Sequence, residues 1–256
     1  MTTSVFDLKD KVAIVTGGGT GIGRSIAIEF ARVGADVVVA SRKLENLEKV
    51  AAEITGMGRR ALAIATDVRK PEDVDNMVQK TMEEFGRIDI LVNNAGASFR
   101  SPLEDMTPGG WDVIVGIDLR GVFLCSRAVG KVMIQQKKGK IINISSMAAV
   151  HGSPMMAHYG AAKAGVINFT KSLAGEWAKH NIYVNCIAPG AIITEGYQDV
   201  REAGGLGDLP PGRNALNRWG RPEEIAYAAI FLASEASSFV TGETICVDGG
   251  PASREG

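Results

Sequence analysis

The chain has 256 residues, 45% hydrophobic and 22% charged, with a formal net charge of -1. That is enough apolar material to build an α/β core of ordinary domain size, and too much for a disordered chain. Lys and Arg are scattered rather than clustered, which argues against a nucleic-acid footprint, and no apolar run approaches the length of a membrane span.

The N-terminal MTTSVFDLKDK lacks the apolar core of a signal peptide. Cys125, Cys186 and Cys246 make an odd set without C-x-x-C spacing. They read as three small core residues rather than a disulfide framework or a zinc site, so no metal is expected. A reducing cytoplasm is the expected location.

Lys11–Thr16 (KVAIVT) is a β-branched run that reads as a buried parallel strand. It enters T-G-G-G-T-G-I-G at residues 16–23, and a helix is expected from about Arg24 to Val33. Strand, glycine turn and helix form the context of a phosphate-binding turn, because glycine admits close backbone approach and the helix start offers free N–H groups. The spacing Gly17, Gly21, Gly23 is G-x-x-x-G-x-G rather than G-x-G-x-x-G.

A second strand, Asp36–Ala40, ends at Ser41-Arg42-Lys43. An acidic residue at this edge would bind the adenosine ribose hydroxyls and favour NAD(H). A small hydroxyl followed by two cations suits a 2′-phosphate, so NADP(H) is favoured and NAD(H) remains possible. Residues Leu44–Ile54 read as helix and Arg60–Thr66 as the third strand, followed by Asp67. Two roles are open to Asp67: accepting from an adenine amino group, or capping the next turn. The helix Pro71–Phe85 begins on a proline. The fourth strand, Ile88–Val92, runs into Asn93-Asn94-Ala95-Gly96 at the ligand edge of the sheet.

Thr107-Pro108 opens a long helix reaching about Gln135, and Gly139–Ser145 is the fifth strand, delivering Ser146 to the same edge. A helix Met156–Lys179 carries Tyr159 and Lys163, four residues apart and therefore on one face. That spacing alone is equally what a packed tyrosine beside a solvated lysine would produce. The sixth strand is Asn181–Ile187. Residues 191–221 then break the pattern and read as a substrate loop or lid, or as a surface excursion. A helix Pro222–Ser234 and a strand Thr241–Val247 complete the chain. The alternation predicts βαβ winding and a parallel sheet.

These motifs together resemble the short-chain dehydrogenases/reductases, from about Lys11 to Gly250. The resemblance implies one Rossmann-like domain over 1–256, a doubly wound parallel sheet of about seven strands with helices on both faces. A cofactor half covers about residues 9–150 and a catalytic and substrate half about 151–250. It implies Ser146, Tyr159 and Lys163 as catalytic residues. It places a nicotinamide dinucleotide against Gly17, Gly19, Thr20, Gly21, Ile22, Gly23, Ser41, Arg42, Asp67, Val68, Asn94, Ala95 and Gly96. Tyr159, Lys163, Pro189, Gly190, Ile192 and Thr194 complete that set. A homotetramer built on helix faces is also implied.

The family's usual catalytic Asn is replaced here, in Ile117-Asp118-Leu119-Arg120-Gly121, by Asp118. That residue and the Thr194-Glu195-Gly196 stretch are similar to the 2,4-dienoyl-CoA reductase branch, which typically lacks the tyrosine kept here as Tyr159. The expected reaction is therefore hydride exchange between a ketone and a secondary alcohol, on an apolar or acyl-thioester, 3-oxoacyl-like substrate. An enoyl- or dienoyl-CoA reductase is the second reading, and a non-catalytic dinucleotide sensor the third. A free phenol titrates near pH ~10, and a neighbouring cation favours its phenolate. Met147, Met155 and Met156 read either as a soft substrate wall or as core filler. His151, Arg100 and Arg120 read as solvated, and His158 as facing away from Tyr159 on its helix.

Overall fold

The computed structural model describes residues 4–195 and 214–251. Among the described residues seven strands are formed: β1 (Val12–Thr16), β2 (Asp36–Ser41), β3 (Ala61–Ala65), β4 (Ile90–Asn93), β5 (Gly139–Ile144), β6 (Ile182–Pro189) and β7 (Thr244–Val247). They make one sheet in the order β3-β2-β1-β4-β5-β6-β7, and every pairing is parallel. Among the described residues the helices are α1 (Gly21–Arg32), α2 (Leu44–Gly56), α3 (Pro71–Phe85), α4 (Pro108–Val115) and α5 (Gly121–Gln136), then α6 (Ala148–His151), α7 (Ala157–Trp177) and α8 (Pro222–Ala233).

Alternate residues along each strand supply the two cores, as the pleat requires. Ala13, Val15, Val37, Val39 and Val92 pack with Ile26 and Phe30 of α1 and Ile225 and Ala229 of α8. Ile14, Val38, Leu91, Ile141 and Val184 pack with Met77 of α3, Leu124 and Met133 of α5 and Trp177 of α7. Because both faces are covered, β1, β4 and β5 are buried along their whole length. The close approach of α5 to α7 depends on Gly130: a Cβ there would lie 2.3 Å from the Trp177 ring.

β1 pairs with β2 on one side and β4 on the other, so the winding reverses between them. Such a switch point opens a crevice beyond the C-terminal strand ends, where the glycine turn and the N-terminal part of α7 meet.

Several boundaries differ from the sequence reading. Helix α1 begins at Gly21 rather than Arg24, since the Arg24 N–H already bonds the Thr20 carbonyl at 3.1 Å. β4 starts at Ile90 rather than Ile88, because the Ile88 N–H and carbonyl are taken by the side chain of Gln136. β7 starts at Thr244 rather than Thr241, where Gly242 at φ 79° breaks the extended run. The long helix expected over 107–135 is interrupted by a π-helical turn at Gly116–Arg120, and the short helix α6 was not foreseen. Cys125 and Cys186 are buried, as expected of small core residues, but Cys246 is exposed on the sheet's edge strand. Of the proposed loop 191–221, residues 196–213 lie outside the described residues. Among the described residues no helix is long and apolar enough to cross a membrane.

Candidate active site

The glycine turn is built by exclusion of side chains. Gly17 has φ 65°, and a Cβ on it would lie 2.7 Å from Asn94 Nδ2. A Cβ on Gly23 would lie 2.2 Å from the Gly17 carbonyl oxygen. The end of β1 and the first turn of α1 therefore approach as closely as backbone allows. Thr16 fixes this edge to β4: its Oγ1 accepts the N–H groups of Asn94 and Ala95, each at 3.0 Å, and donates to the Val92 carbonyl at 3.2 Å. Asn94 Nδ2 donates to the Thr16 carbonyl at 2.9 Å. Asn93 has a different setting, donating to Ser126 Oγ (3.0 Å) and Asn143 Oδ1 (2.8 Å) in a buried network. Its bonds make it a tie between β4, β5 and α5.

The catalytic candidates are held by reciprocal bonds between β5 and α7. Ser145 Oγ donates to the Lys163 carbonyl at 2.8 Å, and Lys163 Nζ donates to the Ile144 carbonyl at 3.0 Å. The same ammonium lies 2.9 Å from Asp118 Oδ1, and Asp118 Oδ2 accepts the Ala97 N–H at 3.2 Å. Gly96 makes room for this pair: a Cβ there would be 2.7 Å from Asp118 Oδ1. Burial pushes the Lys163 ammonium down in pKa, but the Asp118 carboxylate, aided by Tyr159, outweighs it and the net displacement is upward. Nζ is 5.7 Å from the centre of the Tyr159 ring. Asp118 belongs to the π turn, where one extra residue per turn changes the direction of the side chains relative to α4. Ser146 Oγ accepts the Ala148 N–H at 3.1 Å, which leaves its own proton available to a ligand.

At the other end of the cleft, Ser41 is half-buried and Arg42 and Lys43 are exposed at the end of β2. The carboxylate of Asp67 is gripped by Arg69, whose Nε and Nη2 donate at 2.9 and 2.5 Å, and it also accepts the Arg69 backbone N–H at 3.0 Å. Those hydrogen bonds hold Asp67 at about 2, well below the usual carboxylate range. Arg120 is exposed, as expected, and its Nη1 donates to the Arg69 carbonyl at 2.6 Å. Val68 is pressed against Gly121, where a Cβ would meet its Cγ2 at 2.7 Å.

The glycine turn, the end of β2 and the catalytic candidates open on one cleft of about 790 Å³. Its walls include Ser146, Tyr159, Lys163 and Asp118, together with Gly17, Gly19, Thr20, Gly21, Ile22 and Gly23. Ser41, Arg42, Asp67, Val68, Asn94, Ala95, Gly96, Pro189, Gly190, Ile192 and Thr194 also line it. The volume and the glycine cradle fit a dinucleotide. Asn46, Arg69, Ser145 and Glu195 line it too, without having been singled out as cofactor contacts. No local motif marks them, although the apolar run that carries Ser146 to the sheet edge also carries Ser145.

His158 is fully buried with neither ring nitrogen hydrogen-bonded, and its ring meets the edge of Phe99 at 4.4 Å. His151 is exposed at the end of α6. Met155 is 42% exposed in a left-handed conformation (φ 66°), so it is not core filler; Met147 and Met156 are half-buried.

The family model described as "Enoyl-(Acyl carrier protein) reductase" matches residues 17–251. The chain is 42% identical to a 3-oxoacyl-[acyl-carrier-protein] reductase of Synechocystis sp., over 95% of this chain and 97% of the relative. It is 41% identical to a 2-dehydro-3-deoxy-D-gluconate 5-dehydrogenase of Escherichia coli, over 98% of each. It is 40% identical to a peroxisomal 2,4-dienoyl-CoA reductase of Danio rerio, over 95% of this chain and 82% of the relative.

Proposed function

The chain belongs to the short-chain dehydrogenase/reductase family of oxidoreductases, and on that premise we propose that it interconverts a ketone and a secondary alcohol with NADP(H). The observation that carries this reading is the opening of Ser146, Tyr159 and Lys163 on the same cleft as the glycine turn. A bound nicotinamide dinucleotide supplies the hydride in reduction and takes it in oxidation. Tyr159 gives its phenolic proton to the substrate oxygen in reduction and recovers it in oxidation. Ser146 donates to that oxygen as charge develops on it. Lys163 stays charged beside the phenol because Asp118 and the Ile144 carbonyl hold it. Ser41, standing where a ribose-binding carboxylate would favour NAD(H), and Arg42 beside it support NADP(H).

The substrate end supports an apolar or acyl-thioester substrate. The segments that follow β4, β5 and β6 expose Phe99, Val150, Met155 and Ile193, a surface suited to an acyl chain rather than to a polyhydroxy acid. A second reading, reduction of a 2,4-dienoyl or enoyl thioester, is favoured by one observation, the carboxylate of Asp118 on Lys163. Exposed Trp111 and Val113 on α4 and Phe123 on α5 support assembly through helix faces, as a homotetramer.

A spectrophotometric screen tests the reading, using ketones, 3-oxoacyl thioesters, sugar acids, alcohols and a 2,4-dienoyl thioester with NADP(H) and NAD(H). The expected result is fastest turnover of a 3-oxoacyl thioester with NADPH. Much faster reduction of the dienoyl thioester supports the second reading instead, and a clear NADH preference removes the argument from Ser41 and Arg42.

A further inference from the structure

The first N–H groups of a helix have no partner within it and sit at its positive end. In α1 that need is not met locally. Thr20, the N-cap residue, makes no side-chain capping bond, and the first turn contains no acidic residue. The partner comes from 174 residues away: Glu195, on the segment after β6, accepts the Gly21 N–H through Oε2 at 2.7 Å. Gly21 is part of the glycine turn, and both Gly21 and Glu195 line the cleft. A carboxylate thus occupies the backbone position that the turn offers to an anionic ligand.

Residues 191–193 are fixed independently. The Gly220 N–H bonds the Ala191 carbonyl at 2.9 Å, and the Ile193 N–H bonds the Gly220 carbonyl at 3.0 Å. Glu195 lies two residues beyond this anchor and its side chain is exposed. Its carboxylate can therefore leave Gly21 by local rotation, without unpacking the loop behind it. A dinucleotide brings a pyrophosphate to the same N–H groups, and two anions cannot share one donor at the positive end of a helix.

We propose that Glu195 is a displaceable latch on the phosphate position of the glycine turn. Its carboxylate caps α1 in the free protein and must swing off Gly21 before a dinucleotide pyrophosphate binds. Cofactor affinity is then set partly by the carboxylate it displaces, and occupancy of the turn is coupled to the conformation at Glu195, beside Thr194. This inference rests on the cofactor reading above, but not on the choice between NADP(H) and NAD(H), which share the pyrophosphate.

The test is equilibrium titration of the full chain and its Glu195→Ala and Glu195→Gln variants with NADPH and NADH, followed by nicotinamide fluorescence. Adenosine 2′-monophosphate, which lacks a pyrophosphate, serves as the control and is followed by calorimetry. Glu195→Ala is expected to tighten both dinucleotides about three- to tenfold and to leave the control unchanged. Glu195→Gln, which keeps an acceptor oxygen without the charge, falls between wild type and Glu195→Ala. Unchanged or weakened dinucleotide binding in Glu195→Ala overturns the latch, as does an equal gain for adenosine 2′-monophosphate. Failure of the wild type to bind either dinucleotide overturns the cofactor reading itself, and the latch with it.

Discussion

The ammonium of Lys163 and the carboxylate of Asp118 form an ion pair at 2.9 Å with both side chains almost wholly excluded from solvent, at 4% and 0% exposure. Lys163 comes from α7 and Asp118 from the π turn between α4 and α5, so the pair joins two elements at the floor of the cleft. Neither charge is affordable there alone, because an unpaired ion in a protein interior has lost its hydration without compensation.

Removing one partner should show this directly. Asp118→Leu is expected to cost about 3 kcal/mol or more of stability, and Asp118→Asn clearly less, since the amide still accepts a hydrogen bond. Burial then dominates at Lys163 and lowers its pKa, so in Asp118→Asn the alkaline limb of the kcat/KM profile moves to lower pH. Chemical denaturation and a pH–rate series check both. An unmoved alkaline limb would mean that Asp118 does not hold the lysine's charge.

Tyr159→Phe keeps the ring and removes only the hydroxyl. It is expected to lower kcat/KM for ketone reduction about 10²–10⁴-fold and to change the dissociation constant for NADPH little. Turnover within a few fold of wild type would remove the phenol from the proposed acid/base role.

Arg42→Ala separates the two cofactors. Loss of a cation from the end of β2 is expected to weaken NADPH about tenfold, the size of one charge-assisted hydrogen bond, and NADH hardly at all. Parallel titrations with both dinucleotides read the difference.

Lys140 lies at the opposite edge of the sheet from the cleft, 8% exposed, with Nζ 3.0 Å from Ser237 Oγ and 4.0 Å from the centre of the Tyr183 ring. Burial lowers its pKa from 10.5 to about 8, against the pull of Glu235. Between those values the unfolded chain binds more protons than the folded one, so this group's contribution to stability rises with pH across that window. Wild type should therefore gain Tm relative to Lys140→Met as pH is raised from about 8 to about 10. A difference independent of pH would show that the lysine is not held in its neutral form.

Gly130→Ala probes the α5–α7 contact. The added methyl would lie 2.3 Å from the rigid Trp177 ring, and an overpacked site of this kind costs about 1–3 kcal/mol, several degrees of Tm. In a Trp177→Leu background the same substitution should cost much less, because the clash is with the indole.

The division between what was legible and what was not follows the range of the physics involved. Strand and helix identity, the parallel winding and the glycine turn depend on side-chain period and on residues within a few positions of one another. The β-branched run before Thr16 and the one-turn spacing of Tyr159 and Lys163 carried that information without the fold. Ser146 was placed at the right edge because strand ends alternate predictably with helices in a βαβ chain. Apolar patterning could not foresee the π turn, since Gly116–Arg120 differs from an ordinary helix by one residue in a hydrogen-bond ladder. Nor could it foresee that the Lys163 ammonium takes the Ile144 carbonyl, because any residue at 144 offers the same oxygen. The pairing of Asp118 with Lys163 and of Glu195 with Gly21 spans 45 and 174 positions. Such contacts exist only after the crossovers have brought separate strand ends to one crevice, where lost solvent makes each buried or capping charge seek a specific partner.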